Sequence, residues 1–361
     1  METSFICTNC ILPDTTPGIS FDHNGVCNYC LAHQPMKVRG EEKLIEILQS
    51  FKTDNKKYDC VVGISGGRDS TYTLWKLVKE YKMKVLALHY KNPFDSEQAC
   101  LNMQKALKIL NVDCITWEFP NDIHRKATRK NLAVWAHNPS SLLIPIVCGY
   151  CKTGFGKNLQ IARENKIHLY VIGSNPIETP GFKKAGLGGA RTYHRISNFP
   201  NILAKSIKQI AANPRYLKLN WNMVLKMYLA AGHSSPYLRL RYKDITVIRL
   251  FDYIKWDEKK VVSSITNNLG WQKSPEIASP WRFDCRLDYV RRLMYASTVG
   301  VTELRDLFSK MIREKQMTRE EALQRISKED VVSQAVVEEI LEGLGLKLAD
   351  LNLRIDRNLL V

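Results

Sequence analysis

The 361-residue chain has no apolar run close to the roughly 18 residues that a membrane-spanning helix needs. Its first residues lack the basic region and apolar segment of a secretory signal, so we expect a cytoplasmic protein with no membrane partner. Acidic residues are missing from 179–243, where twelve Lys and Arg occur. With a net charge of +17, this absence predicts an anionic partner (nucleic acid, a nucleotide-linked substrate or an acidic protein) unless the excess is only solvated lysines.

The ten cysteines of a chain with this composition favour metal binding or catalysis over disulfides. Two Cys-x-x-Cys pairs, Cys7 with Cys10 and Cys27 with Cys30, are separated by 16 residues, a spacing typical of a tetrahedral thiolate site. Their surroundings hold turn residues and too few apolar side chains for a core, which a metal would replace. We therefore predict a zinc-binding module over residues 1–35, since four free thiols would explain the spacing poorly.

Short buried strands alternate with helices from residue 58 onward, which predicts an α/β fold with a parallel sheet covered by helices on both faces. This domain, with the basic region, is expected over 36–290, and a helical region over 291–361. Residues 195–260 are predicted to be helical and 180–191 to form a glycine-rich loop. Thr318 and Glu321 predict a capping box. The predicted strands are Cys60–Ile64, Lys84–Tyr90, Cys114–Phe119 and His168–Gly173.

A glycine-rich turn follows the first predicted strand and opens a helix, with the sequence Ser65-Gly66-Gly67-Arg68-Asp69-Ser70-Thr71. Adjacent glycines let the backbone approach an anion, and the helix N-terminus offers unpaired amides. The hydroxyl groups add donors, and Asp69 can hold Mg²⁺ between phosphates. The spacing differs from the Gly-x-x-x-x-Gly-Lys pattern of P-loop NTPases. These residues therefore predict a phosphate-binding loop of another type.

This loop resembles the Ser-Gly-Gly-x-Asp-Ser motif of the PP-loop ATP pyrophosphatases at every fixed position. Members cleave ATP between its α- and β-phosphates, so the resemblance implies that residues 65–71 bind ATP and that a substrate oxygen is adenylated. It also implies that the turn Gly173-Ser174-Asn175, after the fourth strand, lies close to the nucleotide; a plain strand-end turn is the alternative. The candidate catalytic residues are Ser65, Asp69 and Lys152. A solvated surface role is the alternative for Lys152, as for Lys157.

A third pair, Cys148 and Cys151, lies between the third and fourth strands, and Cys285 is the only cysteine far downstream. Some PP-loop tRNA thiolation enzymes carry a similar pair that binds an iron–sulfur cluster with a distant third cysteine. That resemblance implies a second metal here, zinc or a [4Fe–4S] cluster. A redox pair or simple packing is the alternative. The remaining cysteines have apolar neighbours and are predicted to be core: Cys60, Cys100 and Cys114.

The order of these features, together with the segments 281–286 (Trp-Arg-Phe-Asp-Cys-Arg) and 317–323, resembles the N-acetyl sugar amidotransferases of bacterial surface-polysaccharide (O-antigen) pathways. This resemblance implies that the acetamido oxygen of a nucleotide-linked sugar is adenylated and that ammonia then displaces AMP to give an acetamidino sugar. We recognise no glutaminase in the chain. A separate glutaminase subunit is therefore expected, with or without a barrel-type subunit, as the resemblance suggests.

A tRNA-modifying enzyme, thiolating or lysidine-forming, is the rival interpretation because it would share the adenylation step, the cysteines and the basic excess. Against it, the C-terminal segments match the sugar family better and no RNA-binding domain is recognised, so nucleic acid is not the expected partner. A non-catalytic binding module would leave Asp69 and the serines idle. His89, His124 and His194 are candidates for moving protons, with no geometry in the sequence to choose among them.

Overall fold

Five parallel strands form a single sheet in the computed structural model, which describes residues 5–141, 143–179, 181–182, 199–230, 232, 235–353 and 359–360. The strands are β1 (Cys60–Gly63), β2 (Val85–Tyr90), β3 (Asp113–Trp117), β4 (Leu169–Ile172) and β5 (Thr246–Arg249), and their order across the sheet is β3-β2-β1-β4-β5. The predicted loop at 180–191, apart from residues 181 and 182, and His194 lie outside the described residues.

Helices cover the sheet and make up the C-terminal region, as predicted. Within the described residues they are α1 (Asn28–Leu31), α2 (Glu41–Phe51), α3 (Arg68–Trp75), α4 (Glu97–Leu110), α5 (Ile123–His137), α6 (Ile144–Val147), α7 (Gly149–Glu164), α8 (Phe199–Ala212), α9 (Trp221–Ala230), α10 (Pro236–Arg241), α11 (Glu258–Leu269), α12 (Leu287–Val299), α13 (Glu303–Arg313), α14 (Arg319–Glu329) and α15 (Gln334–Glu342). None of those described has the length and apolarity to span a membrane.

The α/β fold class and the four predicted strands are confirmed, each strand ending within two residues of its predicted bounds. The prediction that 195–260 is helical throughout was wrong at β5, a four-residue strand that pairs only with β4 at the sheet edge. A strand of four residues is too short to show a clear alternation of apolar and polar side chains. The β-branched run Thr-Val-Ile was the sequence feature that indicated a strand here. Thr318 caps α14, since its hydroxyl accepts a hydrogen bond from the Glu321 amide at 3.1 Å; this is the N-cap half of the predicted capping box.

The strand order reverses between β1 and β4, because the chain proceeds from β1 toward β2 and β3 and then crosses back to β4. In an open parallel sheet, ligands bind outside the carboxyl ends of the strands at such a switch point. The glycine-rich loop follows β1 and the turn at Gly173 follows β4. The topology therefore brings both predicted nucleotide-binding segments to one crevice.

The N-terminal cysteine segment packs on the C-terminal helices. Ile11 and Leu12 are fully buried in the same core as α13 and α14. The Arg319 side chain donates hydrogen bonds to the carbonyls of Cys7 and Cys10 at 3.2 and 3.1 Å. The first and last parts of the chain thus share one core, while the predicted boundaries at residues 35 and 290 stay predictions.

A buried ion-pair network joins the glycine-rich loop to α11 and α14. The Arg68 side chain is 3% exposed, and its guanidinium lies 2.6 Å from Glu258 and 2.7 Å from Glu178. Glu258 also accepts from Arg325 of α14 at 2.6 Å. Because a buried charge is costly unless it is paired, these ion pairs hold the first turn of α3 in one orientation relative to α11.

We predict that Glu258→Gln lowers the free energy of unfolding by about 3–5 kcal/mol, because it removes a carboxylate partner from the buried guanidinium of Arg68 and from the partly exposed one of Arg325. Urea denaturation followed by circular dichroism measures the change. The matched control is Glu321→Gln in the exposed Lys259–Glu321 pair, where a loss below about 1 kcal/mol is expected. Equal losses in the two variants would contradict the role given to the network.

Candidate active site

A cavity of about 450 Å³ opens at the carboxyl ends of β1 and β4, within the usual size range of small-molecule sites. Five segments form its walls: the loop after β1, Asn92 after β2, the turn after β4, the residues around the start of α7, and the segment 282–291. It brings together Ser65, Asp69, Gly173 and the three downstream cysteines that the sequence predicted.

The glycines of the loop cannot be replaced without a clash. Gly66 has φ +78°, and a Cβ built on it would lie 1.9 Å from the carbonyl oxygen of Ala99. A Cβ on Gly67 would lie 2.9 Å from Asp284 Oδ2, and one on Gly173 would lie 2.7 Å from Thr73 Oγ1. The absence of side chains at these positions therefore lets the backbone pack closely against its neighbours, and at Gly67 and Gly173 that backbone lines the cavity.

Two hydroxyl groups belong to the same loop. Ser65 Oγ and Ser70 Oγ are 3.1 Å apart, and Ser70 Oγ also accepts from the Ser65 amide at 3.2 Å. Both residues line the cavity, together with Gly67. Of the other residues predicted to bind ATP, Ser174 lines the cavity too. Three do not contribute to its lining: Gly66, Thr71 and Asn175.

Arg68 and Asp69 sit side by side at the start of α3 but make different contacts. Arg68 lines the cavity, yet its guanidinium is engaged by carboxylates rather than free for a ligand. Asp69 Oδ1 accepts from Trp256 Nε1 at 3.0 Å and lies 3.3 Å from Arg68 Nε. Burial raises the pKa of Asp69 to about 8, although Arg68 acts in the opposite direction. A bound cation would restore the charged carboxylate.

Lys152 lies away from this arrangement. Its ammonium group donates to the carbonyl of Pro145 at 2.9 Å, and the residue does not line the cavity. Lys157, the other lysine considered, is exposed. This placement does not favour a catalytic role for either lysine.

Asp284 is a cavity residue that sequence reasoning missed. The segment around it was singled out only for Cys285, although the neighbouring carboxylate was a visible signal. Its carboxylate overhangs the loop, as the 2.9 Å approach to a Cβ on Gly67 indicates. Burial raises the pKa of Asp284, while a hydrogen bond with Ser65 acts in the opposite direction. Four further charged residues that line the cavity were also missed: Glu178, Arg282, Asp288 and Arg291.

Two carboxylates beside a phosphate cradle create an electrostatic conflict. In their ionised forms Asp69 and Asp284 would both repel a triphosphate at close range, where the effective dielectric constant is low, and burial already raises both pKa values. A divalent cation between the carboxylates and the phosphates removes this repulsion, and oxygen donors of this type suit Mg²⁺. The donor set therefore fits the predicted Mg²⁺, with Asp284 as a ligand candidate that the sequence had not indicated.

Cys148, Cys151 and Cys285 line the same cavity, on the side that faces the loop. Asn92 Nδ2 donates to Cys285 Sγ at 3.3 Å, and Cys151 Sγ lies 3.8 Å from His124 Nε2. These thiols are not among the groups close enough to hold a single metal ion in the part of the chain that the structure describes. The predicted grouping at one site is therefore supported by position, and a metal there stays a prediction.

The four N-terminal thiols form a compact group, as predicted. All four sulfur atoms lie within 4.8 Å of one another, with Cys7 to Cys30 at 4.0 Å and Cys10 to Cys27 at 3.8 Å. A tetrahedron of thiolates around zinc has sulfur–sulfur edges of about 3.8 Å, given Zn–S bonds of about 2.3 Å. The residues fit a structural metal ion, and zinc as its identity stays a prediction.

The two histidines that the structure describes among the proton-transfer candidates are buried. His89 Nδ1 lies 3.1 Å from the Ile64 carbonyl oxygen, and its Nε2 lies 3.4 Å from Asp95. Burial lowers the pKa of His124 to about 4, so it is neutral at pH 7. Neither histidine lines the cavity. Cys60 is fully buried, as predicted; Cys100 and Cys114 are half-buried.

No protein-family profile matches the chain. An uncharacterized protein of Methanocaldococcus jannaschii is 27% identical over 111 residues, which are 30% of this chain and 40% of that protein. The similarity thus spans less than half of the relative's length.

Several solved structures are similar to the chain. NMN synthetase from Francisella tularensis is 14% identical, with a TM-score of 0.37, covering 79% of this chain and 89% of that one. The U34-tRNA thiolase NcsA from Methanococcus maripaludis, with its [4Fe-4S] cluster, is 17% identical (TM-score 0.32; 77% and 76% covered). An NH3-dependent NAD synthetase from Campylobacter jejuni is 15% identical (TM-score 0.28; 66% and 97% covered). All three are less than 20% identical to this chain, with TM-scores below 0.4.

We predict that a strong chelator removes one metal ion per chain and lowers the melting temperature by about 5 °C or more, because the cysteine segment is part of the main core. Elemental analysis and differential scanning calorimetry measure the two effects. Cys27→Ser should lose the ion, whereas Cys100→Ser, outside the group, should retain it. Full metal content in Cys27→Ser would contradict the assignment.

We predict that Asp284→Asn lowers Mg²⁺-dependent ATP turnover by about 10²-fold, since a charged ligand beside the phosphates is lost. In EDTA the same variant should bind ATP more tightly than the wild type, because a repulsive charge is gone. Titration calorimetry and AMP release measure these opposite effects. Glu118→Gln, which removes an exposed carboxylate at 62% exposure, is the control. If turnover and binding without Mg²⁺ were both unchanged, Asp284 would not be a ligand.

Proposed function

We propose that this chain is an ATP-dependent amidotransferase. It would adenylate the acetamido oxygen of a nucleotide-linked N-acetyl sugar and replace that oxygen with ammonia, giving an acetamidino sugar for surface-polysaccharide synthesis. The observation that carries the proposal is that the glycine-rich loop and the segment 282–291 line one cavity, where Asp284 comes close to Gly67. The first segment resembles PP-loop enzymes, and the second overlaps the Trp281–Arg286 motif that resembles the sugar amidotransferases.

An amide oxygen is a poor leaving group, so it must be activated before ammonia can replace it. That oxygen attacks the α-phosphorus of ATP, pyrophosphate departs with the electrons of the broken P–O bond, and an O-adenylyl imidate forms. The amide nitrogen gives up its proton to solvent as the imidate forms. Ammonia then adds to the imidate carbon, loses a proton, and AMP leaves with the former amide oxygen to give the amidine. Mg²⁺, when bound, supplies charge neutralisation at the phosphates.

The chain's own groups act mainly by positioning. The amides at the start of α3 and the hydroxyls of Ser65 and Ser70 stabilise the charge that develops on the departing pyrophosphate. Arg68 holds the loop in place through Glu178 and Glu258 rather than by touching phosphate. The orientation of both reactants in one enclosed space lowers the entropic part of the barrier.

The polarity of the cavity supports a sugar over a flipped RNA base. Bases extruded for modification are usually stacked on aromatic side chains. Among the described residues that line the cavity, none is aromatic and most are polar or charged, including Arg282 and Arg291, which both pair with Glu303. Hydroxyl-rich sugars are bound by groups of that kind.

One observation favours a second candidate, tRNA thiolation with the same adenylation step. The thiols Cys148, Cys151 and Cys285 share the cavity with the phosphate loop, so sulfur could be delivered where the activated carbon would lie. The basic surplus of the chain also suits RNA.

We predict AMP, pyrophosphate and an amidino product when the protein is incubated with ATP, Mg²⁺, ammonium chloride and nucleotide-linked N-acetyl sugars. Chromatography with mass spectrometry detects the product. Ser65→Ala and Asp69→Asn should lower the rate by about 10²-fold or more, and Lys157→Ala, away from the cavity, should leave it unchanged. AMP release that only tRNA stimulates would refute the sugar proposal and support the alternative.

A further inference from the structure

Exposed apolar side chains are concentrated in one region of the surface. Of the 15 large apolar residues that are exposed in the described part of the chain, seven lie between residues 207 and 240. Four of them recur at intervals of four residues along α9 and the turn before it, and we call them the docking face. They are Leu217, Trp221, Leu225 and Leu229, exposed by 62%, 44%, 57% and 52%. Side chains at this spacing form a single stripe.

The opposite side of α9 is also apolar, and it is buried. Met223, Val224 and Met227 are at most 8% exposed and pack into the core. A helix needs only one apolar side to pack on its own protein. The second apolar side, which includes Trp221, is therefore available to bind something else.

The charged residues of the segment that carries the docking face are of one sign. Residues 179–243 contain no acidic side chain, and exposed cations flank the stripe at Arg215, Lys218 and Lys226. An apolar centre inside a basic rim is complementary to a protein surface with an apolar centre and an acidic rim. The same charge would make two copies of this chain repel each other at this face.

Only one helix separates the docking face from the active-site cavity. The inner side of α9 packs against the start of α7, where a Cβ on Gly149 would lie 2.2 Å from Met223 Sδ. Gly149 stands between Cys148 and Cys151, which line the cavity. A partner bound to α9 would thus sit directly behind the cavity wall.

We propose that the docking face binds the glutaminase subunit that supplies ammonia, an inference that rests on the proposed function. The reaction consumes ammonia, which is mostly protonated at neutral pH and therefore needs a nearby source, and no glutaminase is recognised in this chain. The charge pattern fits an acidic protein, and the position behind the cavity wall fits a subunit that works with this active site. Anionic membranes also bind basic apolar helices, but membrane binding would not explain why the docking face lies behind the cavity wall.

The test compares two nitrogen sources. The full chain is co-expressed with the glutaminase of the same genome, and amidino product is measured with glutamine and with ammonium chloride. Leu225→Asp and Leu217→Asp should lower glutamine-driven turnover at least about tenfold, as loss of a central interface residue does. They should leave ammonium-driven turnover within about twofold, because the active site is untouched. Leu101→Asp, on α4 at 43% exposure, is the matched control and should change neither rate.

Analytical ultracentrifugation measures complex formation, which distinguishes a failure of the docking proposal from a failure of the proposed function. If ammonium chloride gives no product with the wild type, the proposed function fails, and weaker assembly of Leu225→Asp with the glutaminase still supports the docking face. The docking proposal is overturned if the wild type forms no complex, or if both variants assemble normally. Loss of ammonium-driven turnover in the variants would also overturn it. So would variants that assemble normally with the glutaminase but no longer bind phosphatidylglycerol vesicles.

Discussion

One buried guanidinium determines the position of the glycine-rich loop in this protein. Arg68 is the first residue of α3, and it reaches Glu178 after β4 and Glu258 at the start of α11. Because none of these charges can be buried alone without a large cost, the three segments are held in a fixed relation. The loop takes its shape from glycine, but its position relative to the rest of the cavity comes from this network.

The cavity that results is electrostatically unusual, since an anion-binding loop faces two carboxylates. Asp69 is held by Trp256 and Arg68, whereas Asp284 arrives from the other wall and overhangs Gly67. A site of this kind discriminates against a bare anion and in favour of an anion that carries its own cation. A preference for a metal-bound anion would therefore come from the walls together, and neither wall alone would produce it.

Local patterns in the sequence predicted what is local in the structure: the strands, the helix caps, the cysteine group and the glycine-rich loop. They missed what depends on residues far apart. The carboxylate that meets Arg68 is 190 residues downstream, and Asp284 reaches Gly67 from a similar distance. The strand β5 was missed because four residues at a sheet edge leave almost no periodicity. Cys285 was placed with Cys148 only through a resemblance, since spacing cannot predict a contact across the fold.

The far wall of the cavity depends on the C-terminal helices. Arg282 pairs with Glu303 of α13, and Arg286 pairs with Glu339 of α15, so the segment that carries Asp284 is anchored on both sides. The α13–α14 pair is in turn contacted by the N-terminal cysteine segment, through Arg319 and the buried Ile11. A metal ion in that segment would therefore act on the chemistry through packing alone, by keeping in place the helices that present Asp284 to the loop.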